Sequence, residues 1–252
     1  MKTILIVVGI IIVVLGAAFG RLMSKMPKKG PALVSLEGGI QGVLCRFSYA
    51  WIVPSATGVI LIDAGLDENA PDIIAALRRA GLGPESVRGI LITHGHADHF
   101  GGAAAFPGAP VFAHAGDIPL IRGEHKRTGI IGSIFSAISA RKKPPSHLEP
   151  LPAQDSITID GVTFAVMELP GHSPGSVAYV LGNIVFSGDA VMGRGASLML
   201  PNDFTCTDPA LARRSIAKLA GIGFTTIADG HTGAVYDGRR KLEGFLTTLH
   251  LP

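Results

Sequence analysis

The 252-residue chain is poor in cysteine, with Cys45 and Cys206 as its two thiols. A metal site built from soft thiolate ligands needs several cysteines close together, so the sequence excludes that kind of site. Internal repeats are absent, and so are low-complexity tracts beyond the N-terminus, so nothing indicates a repeat protein. With 47% hydrophobic residues, the chain is long enough to bury a substantial core in one α/β domain.

Acidic residues are absent from positions 1–29, which hold five of the 22 Lys and Arg side chains. Positions 30–252 hold 17 basic and 19 acidic side chains and therefore carry a formal charge of −2. The isoelectric point of about 9.0 is thus a property of the N-terminus. It does not indicate a nucleic-acid partner.

Charge is also missing from Thr3 to Gly20, where Ile, Val and Leu dominate. As a helix this segment would be about 27 Å long, enough to span a bilayer once. The alternative is a cleaved signal peptide with Gly16-Ala17-Ala18 as its cleavage site, which would give a secreted protein. A spanning segment is favoured because the apolar run is followed by a basic flank, Arg21, Lys25, Lys28 and Lys29. A buried core helix is disfavoured because the run has no polar face.

We therefore expect two regions in the chain. Residues 1–29 are predicted to form a single-pass N-terminal membrane anchor with its basic flank, and residues 30–252 the folded domain. Lys2 precedes the apolar run and four basic residues follow it. The positive-inside tendency therefore favours the cytoplasmic side of the membrane for the domain.

Four short segments of the domain contain good metal ligands: 93–99, 171–173, 187–189 and 229–231. The first has three imidazoles and a carboxylate within six residues, so its side chains cannot share one face of a helix or strand. We expect them to converge from a loop. Neutral imidazoles and carboxylates are donors that Zn²⁺ accepts. The seven candidate ligands are His94, His96, Asp98, His99, His172, Asp189 and His231.

The segment His94-Gly95-His96-Ala97-Asp98-His99 resembles the H-x-H-x-D-H signature of the metallo-β-lactamase superfamily, and the other segments follow in this family's order. The likeness extends from Leu33 to the C-terminus. It implies an α/β fold of the αββα type, in which two mixed β-sheets pack face to face between flanking helices. The metals would bind at one edge, and the apolar N-terminal helix would be an addition to this fold.

The resemblance also implies a ligand set and a reaction. One metal would be held by His94, His96 and His172, a second by Asp98, His99 and His231, and both by Asp189. The implied protein is a dinuclear zinc-dependent hydrolase that attacks an acyl bond of a small molecule with a metal-bound hydroxide. The acyl bond would belong to a thioester, a lactone or another ester. Asp98 is expected to orient the water, and iron or manganese are alternatives to the two Zn²⁺ ions.

Asp63 differs from the ligands because it directly follows the apolar run Val59–Ile62. The resemblance implies that such a strand-end aspartate orients the ligand loops and does not bind metal, so we expect Asp63 to support the ligands from behind. The isolated histidines are assigned no role: His114, His125, His147 and His250.

Three features of the sequence bear on the substrate class that the resemblance implies. True β-lactamases of this fold typically carry cysteine or serine at the position of Asp189, so β-lactam hydrolysis is a disfavoured alternative. The segment 170–176 resembles the third histidine loop of glyoxalase II, but only 21 residues follow His231, too few for the helical substrate domain of that enzyme. Met192 stands where lactonases of the fold commonly have tyrosine.

Two further alternatives come from other functional classes. Persulfide dioxygenases share the H-x-H-x-D-H motif but bind a single iron, so a mononuclear iron persulfide dioxygenase is the runner-up. A non-catalytic membrane scaffold with the same fold is disfavoured, because decayed relatives usually lose ligands and all seven are present here.

Hydrophobic periodicity and turn residues predict the elements of the domain. Strands are predicted at 42–53, 58–63, 87–93, 111–114, 156–159, 162–168, 177–181, 184–187 and 225–228. Helices are predicted at 71–80, 101–106, 208–219 and 238–249.

The insertion between Arg122 and Lys143 departs from this pattern. Its basic residues bracket an apolar stretch in which Ile131, Ile134 and Phe135 recur at helical spacing. The preferred interpretation is a helix that packs its apolar face on the domain or over the substrate pocket as a lid. The alternative is an interfacial helix on an anionic membrane.

Overall fold

The structure, a computed structural model, describes residues 30–125, 137, 139 and 141–250. The predicted anchor at 1–29 and most of the insertion between Arg122 and Lys143 lie outside the described residues. Within the described part of the chain, no helix is long and apolar enough to cross a membrane.

The first sheet contains seven strands: β1 (Leu33–Ser35), β2 (Gln41–Cys45), β3 (Ser48–Pro54), β4 (Val59–Ile62), β5 (Val87–Leu91), β6 (Val111–Ala113) and β7 (Leu148–Pro150). The strands lie in chain order. Neighbours are antiparallel from β1 to β4 and parallel from β4 to β7, so the sheet is mixed.

The remaining strands are β8 (Ser156–Ile159), β9 (Val162–Glu168), β10 (Val177–Leu181), β11 (Ile184–Gly188), β12 (Met192–Arg194), β13 (Ser197–Met199), β14 (Thr226–Asp229) and β15 (Ala234–Tyr236). Six of them form the second sheet in the order β15-β14-β11-β10-β9-β8, while β12 and β13 form a separate hairpin. The β11–β14 pair is parallel and the other pairs are antiparallel, so this sheet is also mixed.

The α-helices of the described residues are α1 (Pro71–Arg79), α2 (Ala97–Phe100), α3 (Ile118–Ile121), α4 (Pro209–Ser215) and α5 (Gly238–Thr248). Helix α1 has Pro71 in its first turn, where the missing N–H is not needed. It ends before Gly81, which adopts a left-handed φ of +73°. Both features agree with the predicted helix at 71–80.

Alternating side chains of the strands face two different cores. In β4, Ile60 and Ile62 point between the sheets, whereas Val59 and Leu61 point toward α1. Trp51 lies at the centre of the core between the sheets. Residues of α5 and of the 3₁₀ turn after α4 cover the outer face of the second sheet. The layers are thus helix, sheet, sheet and helix, which confirms the predicted αββα sandwich.

Two predicted elements are wrong in detail. The single strand predicted at 42–53 is a hairpin of β2 and β3, whose turn places Arg46 at a φ of +69°. The helix predicted at 101–106 begins earlier, as α2, and continues only as a 3₁₀ turn at Ala103–Ala105. Apolar periodicity misses both features because the apolar pattern continues across the turn and the polar histidine motif hides the start of α2.

We predict that Gly42→Ala destabilises the domain, although alanine ordinarily favours strands more than glycine does. Gly42 pairs with Trp51 across β2 and β3. A Cβ at position 42 would lie 2.6 Å from Cζ3 of that indole ring. Overpacking of this kind costs about 1–3 kcal/mol of unfolding free energy. Thermal unfolding of the full chain measures the loss.

Gly108→Ala is the matched control, because a Cβ at position 108 meets no atom within 4 Å. We expect this variant to unfold at the wild-type temperature. An unchanged or higher Tm for Gly42→Ala would contradict the packing argument.

Candidate metal centre

The candidate ligands lie where two pairs of parallel strands end. β4 runs parallel to β5 in the first sheet, and β11 runs parallel to β14 in the second. Parallel neighbours place their carboxyl ends at the same edge of a sheet, which is where sites form in α/β proteins. Because the two sheets pack face to face, the segments that follow β5, β11 and β14 meet at one edge of the sandwich.

Helix α2 begins inside the histidine motif. His96 has an extended backbone, with φ −85° and ψ 146°, and Asp98 and His99 belong to the single turn that follows. Gly102 lets this turn approach the end of β4, since a Cβ there would lie 2.1 Å from the carbonyl oxygen of Ala64. A loop and one helical turn therefore aim the four side chains of the motif inward.

The structure brings all seven predicted ligands together. Three overlapping sets of side chains have their potential ligand atoms within 4.8 Å of one another. The sets are His94 with His96 and His172, His94 with His99 and Asp189, and Asp98 with His99 and His231. We call these seven residues the ligand cluster.

Asp189 lies at the centre of the ligand cluster. Its Oδ2 atom lies 3.0 Å from Nε2 of His231 and 3.4 Å from Nε2 of His172. Its Oδ1 atom lies 3.3 Å from Nε2 of His99. This one carboxylate therefore reaches imidazoles of both the first and the third ligand set.

Several inward-facing atoms of the cluster are buried without a hydrogen bond. Among the described residues, Nε2 of His99, Nε2 of His172 and Oδ1 of Asp189 have no partner in hydrogen-bond geometry, although they lie close to one another. Buried polar atoms are nearly always hydrogen-bonded, and exceptions often mark an ion site. The arrangement fits metal cations, because imidazole nitrogens and a carboxylate oxygen converge on the same space.

Burial and neighbouring charges shift the protonation of the cluster in opposite directions. Burial, reinforced by the nearby His99, holds the pKa of His94 well below its usual value. Burial also acts to lower the pKa of His99, but the carboxylates of Asp189 and Asp63 outweigh it and raise that pKa well above its usual value. The Asp189 carboxylate likewise raises the pKa of His231 to about 9 against the effect of burial. Both shifts favour the protonated imidazoles, so a cation would compete with protons at His99 and His231.

Asp63 lies behind the ligand cluster, at the end of β4, and is buried. It accepts hydrogen bonds from the backbone N–H and the hydroxyl of Thr93, both at 2.8 Å. Its Oδ2 atom also lies 2.8 Å from Nδ1 of His99. This contact holds the proton on Nδ1, so that after loss of the Nε2 proton to a cation, Nε2 of His99 would face the cluster with a lone pair.

Two further contacts hold the outer nitrogens of ligand imidazoles. The Cys206 thiol lies 3.7 Å from Nδ1 of His172. Nδ1 of His231 lies 2.7 Å from the carbonyl oxygen of Phe47, in the turn between β2 and β3. The sequence analysis missed both contacts, because each joins residues far apart in the chain and neither belongs to a recognisable motif.

Two buried aspartates also escaped the sequence analysis. Asp117 hydrogen-bonds the backbone at Gly95 and Gly175, on either side of the site. Asp229 accepts the backbone N–H of His231 at 2.8 Å. Asp229 lies within the segment 229–231, two residues before the candidate ligand His231, and this position could have identified it from the sequence. Asp117 had no such signal.

Solved structures of similar proteins share this architecture. A B3 metallo-β-lactamase, BLEG-1, is 27% identical with a TM-score of 0.59, and the match covers 84% of this chain and 95% of that one. TTHA1623, solved in a di-iron-bound form, is 29% identical with a TM-score of 0.58, and the match covers 77% of this chain and 91% of that one.

A curated relative is similar at the sequence level. The hydroxyacylglutathione hydrolase of Xanthomonas campestris pv. campestris (strain B100) is 29% identical over 186 residues, which is 73% of this chain. The matched region spans 60% of the relative's length.

The family model of the metallo-β-lactamase superfamily matches residues 43–231. This range contains both sheets except β1, the start of β2 and β15, and it contains all seven residues of the ligand cluster. The chain therefore belongs to the metallo-β-lactamase superfamily.

Proposed function

We propose that the protein hydrolyses an acyl bond of a small molecule at a centre of two divalent metal ions. The observation that carries this proposal is the position of Asp189, whose two oxygens reach imidazoles on opposite sides of the ligand cluster. A carboxylate in that position suits a bridge between two cations. The five imidazoles and two carboxylates of the cluster would exceed the four ligands of a tetrahedral zinc site if they surrounded a single ion.

The proposed ligands divide into two metal-binding sets, one for each ion, which we call the first set and the second set. The first ion would be held by His94, His96 and His172, the second by Asp98, His99 and His231, with Asp189 shared. Zn²⁺ suits these nitrogen and oxygen donors, and iron or manganese are alternatives. The di-iron form of TTHA1623, at 29% identity, supports a centre of two ions and makes iron a specific alternative to test.

When bound, two such ions supply a water molecule of lowered pKa and polarise the scissile carbonyl. Residues of the chain would position the attacking water. The Asp98 side chain is 30% exposed, whereas that of His99 is fully buried, so Asp98 lies at the open side of the cluster. An exposed carboxylate there can accept a hydrogen bond from the attacking water and hold it against the carbonyl carbon.

The substrate class is proposed from the relatives and from Asp189. Similarity to a hydroxyacylglutathione hydrolase supports a thioester, although this chain spans 60% of that relative's length. Similarity to BLEG-1 keeps β-lactams as a second candidate. We favour a thioester, lactone or other ester, because Asp189 stands where true β-lactamases typically have cysteine or serine.

We predict about two metal ions per chain and hydrolysis of acyl substrates that a chelator abolishes. Metal analysis of the purified full chain, combined with a panel of thioester, lactone, ester, β-lactam and phosphodiester substrates, measures both. Two ions with β-lactam turnover alone would reject the preferred substrate class. One iron per chain with oxygen uptake on a glutathione persulfide would support the mononuclear dioxygenase.

We predict that Asp189→Ala loses hydrolysis and both ions, because the variant removes the donor shared by the two sets. Loss of even a supporting contact weakens metal sites about 10- to 100-fold, so activity should fall at least that far. His147→Ala is the control, since His147 is exposed and belongs to none of the three ligand sets. Two ions bound at wild-type affinity by Asp189→Ala would rule out the bridging role.

We also propose that residues 1–29 tether the domain to a membrane, on the strength of the uncharged run from Thr3 to Gly20. The full chain should then stay with carbonate-washed membranes, while a variant without residues 1–29 should be found in the supernatant with unchanged metal content. A mature protein that starts near Gly16-Ala17-Ala18 would instead support signal-peptide cleavage.

A further inference from the structure

Asp117 is a fully buried aspartate that lies just before α3 and connects two ligand-bearing loops. Its Oδ2 atom accepts a hydrogen bond from the backbone N–H of Gly95 at 2.6 Å and another from the Ser173 hydroxyl. Its Oδ1 atom accepts the backbone N–H of Gly175 at 2.7 Å. One carboxylate thus holds the backbone of two loops that are distant in sequence.

Both loops approach Asp117 so closely that a side chain at either glycine would be crowded. A Cβ at Gly95 would lie 3.1 Å from Cβ of Asp117, and a Cβ at Gly175 would lie 3.0 Å from its Cγ. Burial raises the pKa of Asp117, while hydrogen bonds from Ser173 and the two glycines act in the opposite direction. The carboxylate is therefore in an environment that disfavours its charge unless the loops remain in place.

The two loops that Asp117 holds carry the first ligand set. Gly95 lies between His94 and His96, and Ser173 follows His172. Among the hydrogen bonds of the described residues, those of the Asp117 carboxylate go to these two loops alone.

Asp229 has the corresponding position beside the second set. Its carboxylate accepts the backbone N–H of His231 at 2.8 Å and that of Gly193 at 2.9 Å, and it also bonds Thr232. Asp229 is fully buried as well. Asp229 therefore fixes the backbone beside His231, as Asp117 fixes the backbone beside His94, His96 and His172, and neither aspartate contributes a ligand atom to the sets.

We propose that Asp117 and Asp229 are positioning residues for separate metals, Asp117 for the ion of His94, His96 and His172, and Asp229 for the ion of the His231 set. This inference rests on the proposed function, because it requires two ligand sets that each hold an ion. It predicts that the two aspartates control the two affinities independently.

The test is a titration of the full chain with Zn²⁺ against a chromophoric chelator, in wild type, Asp117→Asn and Asp229→Asn. An amide offers one acceptor oxygen, so in Asp117→Asn at least one of the two backbone N–H groups faces an NH₂ group. We expect each variant to keep one tight equivalent of Zn²⁺ and to bind the other about 10- to 100-fold more weakly.

Two background variants identify which ion is affected. In His231→Ala, where the first set remains, Asp117→Asn should weaken the remaining equivalent and Asp229→Asn should leave it unchanged. In His96→Ala, where the second set remains, Asp229→Asn should weaken the remaining equivalent and Asp117→Asn should leave it unchanged. Equal weakening of both equivalents by either aspartate variant, or no weakening, would overturn the inference while leaving the two-metal centre intact. Fewer than two equivalents in wild type would reject the proposed function and this inference with it.

Gly175→Ala provides an independent variant in case Asp117→Asn does not fold. The added Cβ would lie 2.8 Å from Nδ1 of His114 and 2.9 Å from the backbone nitrogen of Asp117, so it pushes the loop away from both residues while Asp117 keeps its carboxylate. We expect the same selective loss of one equivalent, whereas Gly108→Ala should retain both at wild-type affinity. A lower Tm with both affinities preserved would show that Asp117 serves the fold alone, and would overturn the inference.

Discussion

The structure depends on a cluster of imidazoles packed around one buried carboxylate. Transfer of ionisable groups out of water is costly unless they are paired, hydrogen-bonded or bound to a metal. Asp189 lies within 3.4 Å of the imidazole nitrogens of His99, His172 and His231, so small displacements of any loop would leave a buried group without compensation. The loops must therefore be held in place with high accuracy.

Regular secondary structure cannot supply this accuracy, because most ligands lie in loops whose backbone N–H groups are not paired in a sheet or helix. Buried backbone donors need acceptors. Asp63, Asp117 and Asp229 provide them, each at the base of a ligand-bearing segment. The same carboxylates are buried and cannot hydrogen-bond bulk water. The loops and the aspartates therefore depend on each other for their hydrogen bonds.

Sequence patterns predicted the parts of the fold that local chemistry determines. The apolar runs of β4, β5 and β11 identified strands, while the clustered histidines and carboxylates and the resemblance to the H-x-H-x-D-H signature identified the candidate ligands. Asp117 could not be found in this way, because its partners lie 22, 56 and 58 residues away. The strands β1, β7, β12, β13 and β15 were not predicted, because three residues leave little periodic pattern; β6 is as short, but its three residues are all apolar and it was predicted. The turn at Arg46 also depends on pairing between strands, which periodicity does not report.

The ligand side chains differ in their exposure to solvent, and this difference shows which side of the cluster is open. His94, His99 and His172 are almost fully buried, whereas the Asp98 side chain is 30% exposed and that of His231 is 14% exposed. Phe47, 45% exposed, lies on the same side, because its carbonyl oxygen contacts His231. A substrate of the proposed hydrolase would therefore meet Asp98 and His231 first. Since loops vary more than the elements they join, we expect this rim, and not the buried histidines, to determine selectivity for the proposed substrate.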